Sequence, residues 1–183
     1  QNVDRVVVVS SHSRKVFEST KYNVQDQNGN AIQNWGMQVP CREVNYCTRG
    51  DEVEPLDINF ETDKNFLVVS QWGPRKNLDN TIKWFLETFE EDETVGLVLK
   101  TNLVGDSFVD RTHVENRLLN VLNQYPDRKC KVYLVHGELS PAQLNYLYSH
   151  ETMQGMINIG HGEGFGLPLF EAATAGLPLI TIT

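Results

Sequence analysis

Residues 155–178 read GMINIGHGEGFGLPLFEAATAGLP, and the order of residue types there decides the fold. Gly155 to Ile159 reads as a strand running into a loop with glycine at 160, 162, 164 and 166. Pro168 then stands at the first position of a short helix, where its missing N–H leaves no hydrogen bond unmade. That helix is predicted over Pro168 to Ala175 with Gly176 as its stop, and Leu179 to Thr183 is predicted as a further strand. Strand, glycine loop, helix and strand make a βαβ unit, whose two strands run parallel.

The same alternation extends upstream. Asn65 to Ser70 reads as a strand, and Leu78, Ile82, Phe85, Leu86 and Phe89 fall at helical spacing over Leu78 to Phe89. Val95 to Lys100 is the next strand, Val114, Leu118, Val121 and Leu122 mark a helix, and Lys131 to Val135 is another strand. Ser140-Pro141-Ala142-Gln143 carries a capping box in front of Leu144 and Leu147. The fold class is therefore α/β, a doubly wound, Rossmann-like parallel sheet covered on both faces.

Ahead of this region the pattern weakens. Arg5 to Ser10 reads as a strand buried on both faces, and Ser13 to Tyr22 as a helix with Val16 and Phe17 turned inward. Asn23 to Gln38 shows no period beyond an Asn28-Gly29 turn signal, and Glu43 to Cys47 reads as a short strand. Residues 48–64 are acidic and aperiodic around Pro55 and read as a linker. The expected organisation is thus a first unit over 1–47, a linker over 48–64 and the α/β domain over 65–183, lacking a closing helix. A polar start and a final strand predict a piece of a longer protein.

With 40% hydrophobic and 22% charged residues in 183, the chain has enough apolar material for a core and is neither a disordered tail nor a coiled coil. Its net charge of −8 argues against nucleic acid as partner, because a phosphate backbone calls for a basic face. The longest apolar runs, Val6 to Val9 and Phe66 to Val69, are far short of the roughly 20 residues of a membrane span. Cys41 and Cys47 have the wrong spacing for a metal site and no histidine pair beside them. With Cys130 they read as reduced thiols, which predicts a cytoplasmic protein with no bound metal.

Ligands of open α/β sheets bind beyond the carboxyl ends of the strands. Two loops fall there, Gln71 to Asn77 (QWGPRKN) and Gly160 to Pro168. Glycines let a backbone approach a ligand closely, and a helix start favours an anion. A dinucleotide fingerprint fails on spacing, because Phe165 or Leu169 stands where a third glycine is needed. A phosphate-binding Walker loop fails too, since no Lys-Ser or Lys-Thr follows the glycines. Glu163 and Glu171, separated by seven residues, can both face the mouth of the site as acceptors for sugar hydroxyls. Arg75 and Lys76 can supply the cations that a phosphate needs. Taken singly, each feature has a plainer reading: a solvated loop pair, a tight turn, a surface glutamate.

In combination they resemble a known family. Glu163-Gly-Phe-Gly-Leu-Pro-Leu-Phe-Glu171, followed by Ala172 to Pro178, is similar to the E-x7-E signature of retaining GT-B glycosyltransferases of group 1, family 4. Gly73-Pro-Arg75-Lys76-Asn77 resembles their donor-phosphate loop, and Gly137-Glu-Leu-Ser140 with Leu144 and Tyr148 resembles the stretch between the two. The resemblance implies the carboxy-terminal, donor-binding half of an enzyme that transfers a hexose from a nucleoside-diphosphate sugar to an acceptor (glycan, lipid or protein) with retention. It implies that Arg75 and Lys76 neutralise the donor diphosphate and that backbone N–H groups from Gly164, Phe165, Gly166 and Leu167 bind phosphate and sugar. It further implies that Glu163 meets the donor sugar, that Glu171 holds the ribose, and that the loop around His136 lies near the base. No metal or cofactor is obligatory in that chemistry. His161-Gly162 departs from the bulkier residue many members carry before the first glutamate, and residues 1–47 resemble only the end of the N-terminal acceptor domain, its last strand, helix and return toward the linker. The fragment alone is therefore expected to be inactive. Rival readings are a non-catalytic nucleotide-sugar-binding module completed by another chain, and another GT-B enzyme such as an epimerase or a phosphorylase.

Overall fold

A computed structural model describes residues 3–182, and the backbone contacts divide the chain into two compact units, 1–47 and 48–183. In the first unit, β1 (Val6–Val8) pairs in parallel with β4 (Cys41–Glu43), and α1 (Ser11–Ser19) follows β1. The Ser10 hydroxyl caps α1 by accepting from the Ser13 N–H at 3.1 Å. The stretch without a visible period holds an antiparallel hairpin, β2 (Tyr22–Gln25) and β3 (Ala31–Trp35). Its turn is built by the Asp26 carboxylate, which accepts from the Asn28 and Asn30 N–H groups at 2.8 Å each, and by Gly29 at φ +83°. Three expectations are corrected here. Val7 in β1 and Val16 and Phe17 in α1 are exposed, and the last strand is Cys41–Glu43 where Glu43 to Cys47 was expected.

The second unit is a five-stranded, all-parallel sheet in the order β7-β6-β5-β8-β9. Its strands are β5 (Lys64–Val69), β6 (Val95–Lys100), β7 (Lys131–Val135), β8 (Met153–Asn158) and β9 (Leu179–Thr181). The last strand was expected to reach Thr183, which lies outside the described residues. Helices α2 (Leu78–Phe89) and α3 (Phe108–Leu122) cover one face, where Ile82, Leu86 and Val114 pack on Leu97 and Leu99. Helices α4 (Pro141–Ser149) and α5 (Leu167–Thr174) cover the other, where Leu147, Tyr148 and Ala172 pack on Leu67, Val98 and Met156. The Ser140–Gln143 capping box starts α4 through reciprocal bonds of 3.1 and 3.0 Å.

The expected linker, residues 48–64, is instead packed within this second unit, with no regular element before β5 begins at Lys64. Leu56, Ile58 and Phe60 lie against the α4–α5 core. The Glu54 N–H bonds the Ala142 carbonyl at 3.1 Å, and the Asn145 side chain donates to the Gly50 carbonyl at 2.8 Å. Burying Leu56, Ile58 and Phe60 removes apolar surface from water, which holds the segment down without secondary structure.

From β5 the chain builds outward through β6 and β7, then returns to the opposite side of β5 for β8 and β9. The winding direction therefore reverses between β5 and β8. A crevice opens at such a reversal because the two loops leave the sheet toward opposite faces.

Candidate functional site

The loops after β5 and β8 meet at that crevice. After β5, Trp72 is buried and its backbone N–H donates to the Asn102 carbonyl at 2.7 Å, anchoring a 3-10 turn over Pro74–Lys76. Asn77 closes the turn in the left-handed region, φ +55°, and opens α2. Its amide donates to the Ile159 carbonyl at 3.2 Å, and the His161 N–H donates to the Arg75 carbonyl at 2.8 Å. Gly160 suits this close approach, since a Cβ there would stand 3.1 Å from the Arg75 carbonyl oxygen and press the two loops apart by a few tenths of an ångström. Gly166 is required by its own backbone, φ +76°, which turns the loop into α5.

On this stitched backbone three side chains converge on Glu163. Lys76 donates its ammonium to Oε1, Arg75 reaches Oε2 at 3.4 Å and the Gly162 carbonyl with the same nitrogen, and Asn158 donates to Oε1 at 3.0 Å. Burial works to raise the Glu163 carboxyl, but the bonds from Asn158 and Lys76 and the two positive charges outweigh it. The group sits below the ordinary glutamate value and is ionised at neutral pH. Phe165 packs edge-on against Phe170, ring centroids 5.4 Å apart.

Glu171 lies elsewhere. Its side chain is 5% exposed and accepts a two-pronged bond from Arg49, Nε to Oε1 at 2.5 Å and Nη2 to Oε2 at 2.8 Å. The Tyr148 hydroxyl lies 3.4 Å from Oε2, and its ionisation is pushed up by burial and by the adjacent carboxylate. Arg49 and Glu171 border a cavity of about 250 Å3 with Asn145 and Thr174. A separate cavity of about 360 Å3 lies beyond the carboxyl ends of β5, β6 and β7, lined by Lys76, Lys100, Asn102, Glu138 and Pro168 among others. The structure thus joins Arg75, Lys76 and Glu163, and it places Glu171 in a different cluster.

His136 is turned inward. Its ring is 3% exposed and its Nε2 lies 2.9 Å from Asp110 Oδ2. The neighbours Glu138 and Leu139 line the edge cavity in its place. Asp110 also accepts from the Leu103 and Val104 N–H groups at 3.0 and 2.9 Å. The bond with His136, opposed by burial and helped by these amides, holds the Asp110 carboxyl down at about 2. Lys100 donates to the Gly137 carbonyl at 2.5 Å, and burial lowers its pKa. Sequence reading missed Arg49, Lys100, Asp110 and Asn158. One trace of Arg49 exists there, for it is the one basic residue between Thr48 and Asp63.

Among the described residues no three His, Cys, Asp or Glu side chains are grouped to hold a metal ion, and no helix is long and apolar enough to cross a membrane. No protein-family model matches the sequence, and no curated protein matches it significantly. Solved structures do resemble the fold. The C-terminal domain of a glycosyl transferase group 1 family protein (LpcC) from Francisella tularensis superposes with a TM-score of 0.50 at 14% identity, over 66% of this chain and 58% of that one. The five-stranded unit has the GT-B carboxy-terminal, Rossmann-like fold. A trehalose-6-phosphate structure from E. coli, bound with UDP-2-fluoro glucose, gives a TM-score of 0.61 at 12% identity, over 97% of this chain and 45% of that one. TarM gives 0.52 at 15% identity, over 98% and 29%. The chain therefore spans less than two thirds of each of these structures, and identities this low speak for the fold alone.

Proposed function

We propose that the second unit binds a nucleoside-diphosphate sugar and serves as the donor half of a retaining hexosyltransferase of the E-x7-E type, working in the cytoplasm without metal or cofactor. The observation that carries this reading is the meeting of two loops 87 positions apart, Lys76 and Arg75 from one and Glu163 from the other, over the reversal point of a GT-B sheet. In this reading the nucleotide lies in the cavity at the carboxyl edge, with its diphosphate against Lys76, Arg75 and the N–H groups from Gly164 to Leu167. Fixed cations there offset the charge that grows on the leaving diphosphate, which stabilises the transition state more than the ground state. Glu163 takes hydroxyls of the transferred hexose. Glu171 takes the ribose hydroxyls by giving up one of its Arg49 bonds, and the 136–139 loop borders the base through Glu138 and Leu139. The acceptor is met by parts of the protein beyond this unit.

The test is binding. Thermal shifts with uridine, guanosine and adenosine diphosphates and their hexose conjugates are expected to pick out one base, since a ligand of the native state raises stability as its concentration exceeds Kd. Calorimetry of Lys76→Ala with the selected diphosphate is expected to show a loss of about 1.5–3 kcal/mol, one to two decades in affinity. The free nucleoside is expected to bind as before. Equal losses for both ligands remove the phosphate role, and no shift with any nucleotide overturns the reading. A non-catalytic binding subunit gives the same binding results and differs by yielding no transfer when the full-length protein is assayed.

A further inference from the structure

The cations assigned to the donor phosphates already hold an anion. Lys76 and Arg75 both bond the Glu163 carboxylate, whose side chain is 24% exposed, while that of Lys76 is only 15% exposed. The bonds from the His161 N–H to the Arg75 carbonyl and from the Asn77 side chain to the Ile159 carbonyl tie the two loops together, so the glutamate stays beside both cations when a ligand arrives. An arriving diphosphate meets the same two positive groups with a like charge beside them. We propose that Glu163 acts as a resident competitor for phosphate and thereby sets a preference for the sugar-bearing nucleotide over the bare diphosphate. This rests on the donor-site reading above.

The physical case is one of exchange. A bare diphosphate must loosen the Lys76–Glu163 contact and then sit beside an ionised carboxylate that receives nothing in return, and like charges at close range repel. A sugar nucleotide brings hydroxyls, which are donors, and a carboxylate accepts from them in charge-assisted bonds. Asn158 is neutral and bonds the same Oε1 as Lys76, so it keeps the carboxylate in place when the ammonium turns to phosphate. The discriminating group is therefore not an additional sugar pocket but the anion already on the phosphate cations. It disfavours retention of a spent diphosphate and favours its replacement by a charged donor.

Glu163→Gln and Glu163→Ala both remove the competing charge, and the half-open position makes both compatible with folding. In calorimetric titrations with inorganic pyrophosphate and with the three nucleoside diphosphates, both variants are expected to bind the diphosphate about 3- to 10-fold more tightly than the parent chain. The gain is expected to shrink in high salt. Against the matching hexose conjugate neither variant is expected to gain, so the ratio of conjugate to diphosphate affinity falls by at least that factor. Unchanged or weaker diphosphate binding in both variants, with Lys76→Ala still weakening it by about one to two decades, overturns this inference and leaves the donor-site reading standing. An equal gain for diphosphate and conjugate also overturns it. Failure of every diphosphate to bind the parent chain and both variants overturns the donor-site reading and this inference together.

Discussion

Glu163 and Glu171 are separated by seven residues and belong to one sequence motif, yet they occupy opposite physical situations. Glu163 stands at the loop, 24% exposed, held by two cations and an amide on a backbone that is itself stitched by hydrogen bonds. Glu171 stands one turn into α5, 5% exposed, held by both nitrogen prongs of an arginine that comes from an irregular segment far upstream. The first arrangement leaves a charge that solvent and ligand can reach. The second fixes the packing of residues 48–53 against α4 and α5. A shared motif therefore does not mean a shared environment: exposure and the origin of the counter-ion separate a carboxylate that a ligand reaches directly from one that must first give up a bond to Arg49.

The largest expected break of this contrast is Arg49→Ala. It leaves the buried Glu171 carboxyl without its arginine and beside the Tyr148 hydroxyl. Because the Arg49 side chain is itself 47% exposed, the cost falls short of that of a fully buried pair. We expect a loss of about 2 kcal/mol in unfolding free energy by urea titration. Glu171→Gln in the same background is expected to recover part of it, since the carboxyl stripped of its arginine is then replaced by a neutral amide. No loss in Arg49→Ala makes the two glutamates equivalent and dissolves the comparison.

On the other side of the contrast, Lys76→Ala is expected to change stability by less than about 1 kcal/mol in the same titration, as for other accessible ion pairs. Its effect appears in diphosphate binding. A stability loss as large as that of Arg49→Ala assigns the Glu163 cluster to structure.

A third expected effect concerns the segment after β6, where Asp110 ties His136 to the 103–104 backbone. Its carboxyl is held at about 2 in the folded chain, below the ordinary value of about 3.9 in an unfolded one. A depressed carboxyl stabilises the fold above its unfolded value, and that contribution is lost as pH falls through about 4 toward 2. Melting temperature is therefore expected to drop over this window. Asp110→Asn is expected to be less stable at pH 7 and to show a shallower drop. An identical pH profile in the variant removes the role given to this carboxylate.

The α/β unit was largely legible because its signals are local. Leu78, Ile82, Phe85, Leu86 and Phe89 face one way by helical period alone, and α2 has the bounds this spacing predicts, Leu78–Phe89. The Ser140 capping box is complete within four residues, and it forms as predicted. The hairpin over 22–35 was not legible. Its strands are mostly exposed, so no alternation of apolar and polar residues marks them, and only the Asp26-to-Gly29 turn betrays it. The packed 48–63 segment escaped for a related reason, since Leu56, Ile58 and Phe60 bury themselves without the regular backbone that a period requires.

Sequence alone determined the order of strands and helices in the second unit, the two loops at its carboxyl edge and the residue types they carry, because propensity, period and capping act over a few neighbours. Only the tertiary structure decided which cation meets which carboxylate. Arg49 and Glu171 lie 122 positions apart, and Lys76 and Glu163 lie 87 apart. The contact of the buried His136 with Asp110, 26 positions away, was decided in the same way. Such pairings depend on the strand order that brings β8 beside β5 and on what each side chain finds there, and no local pattern encodes either.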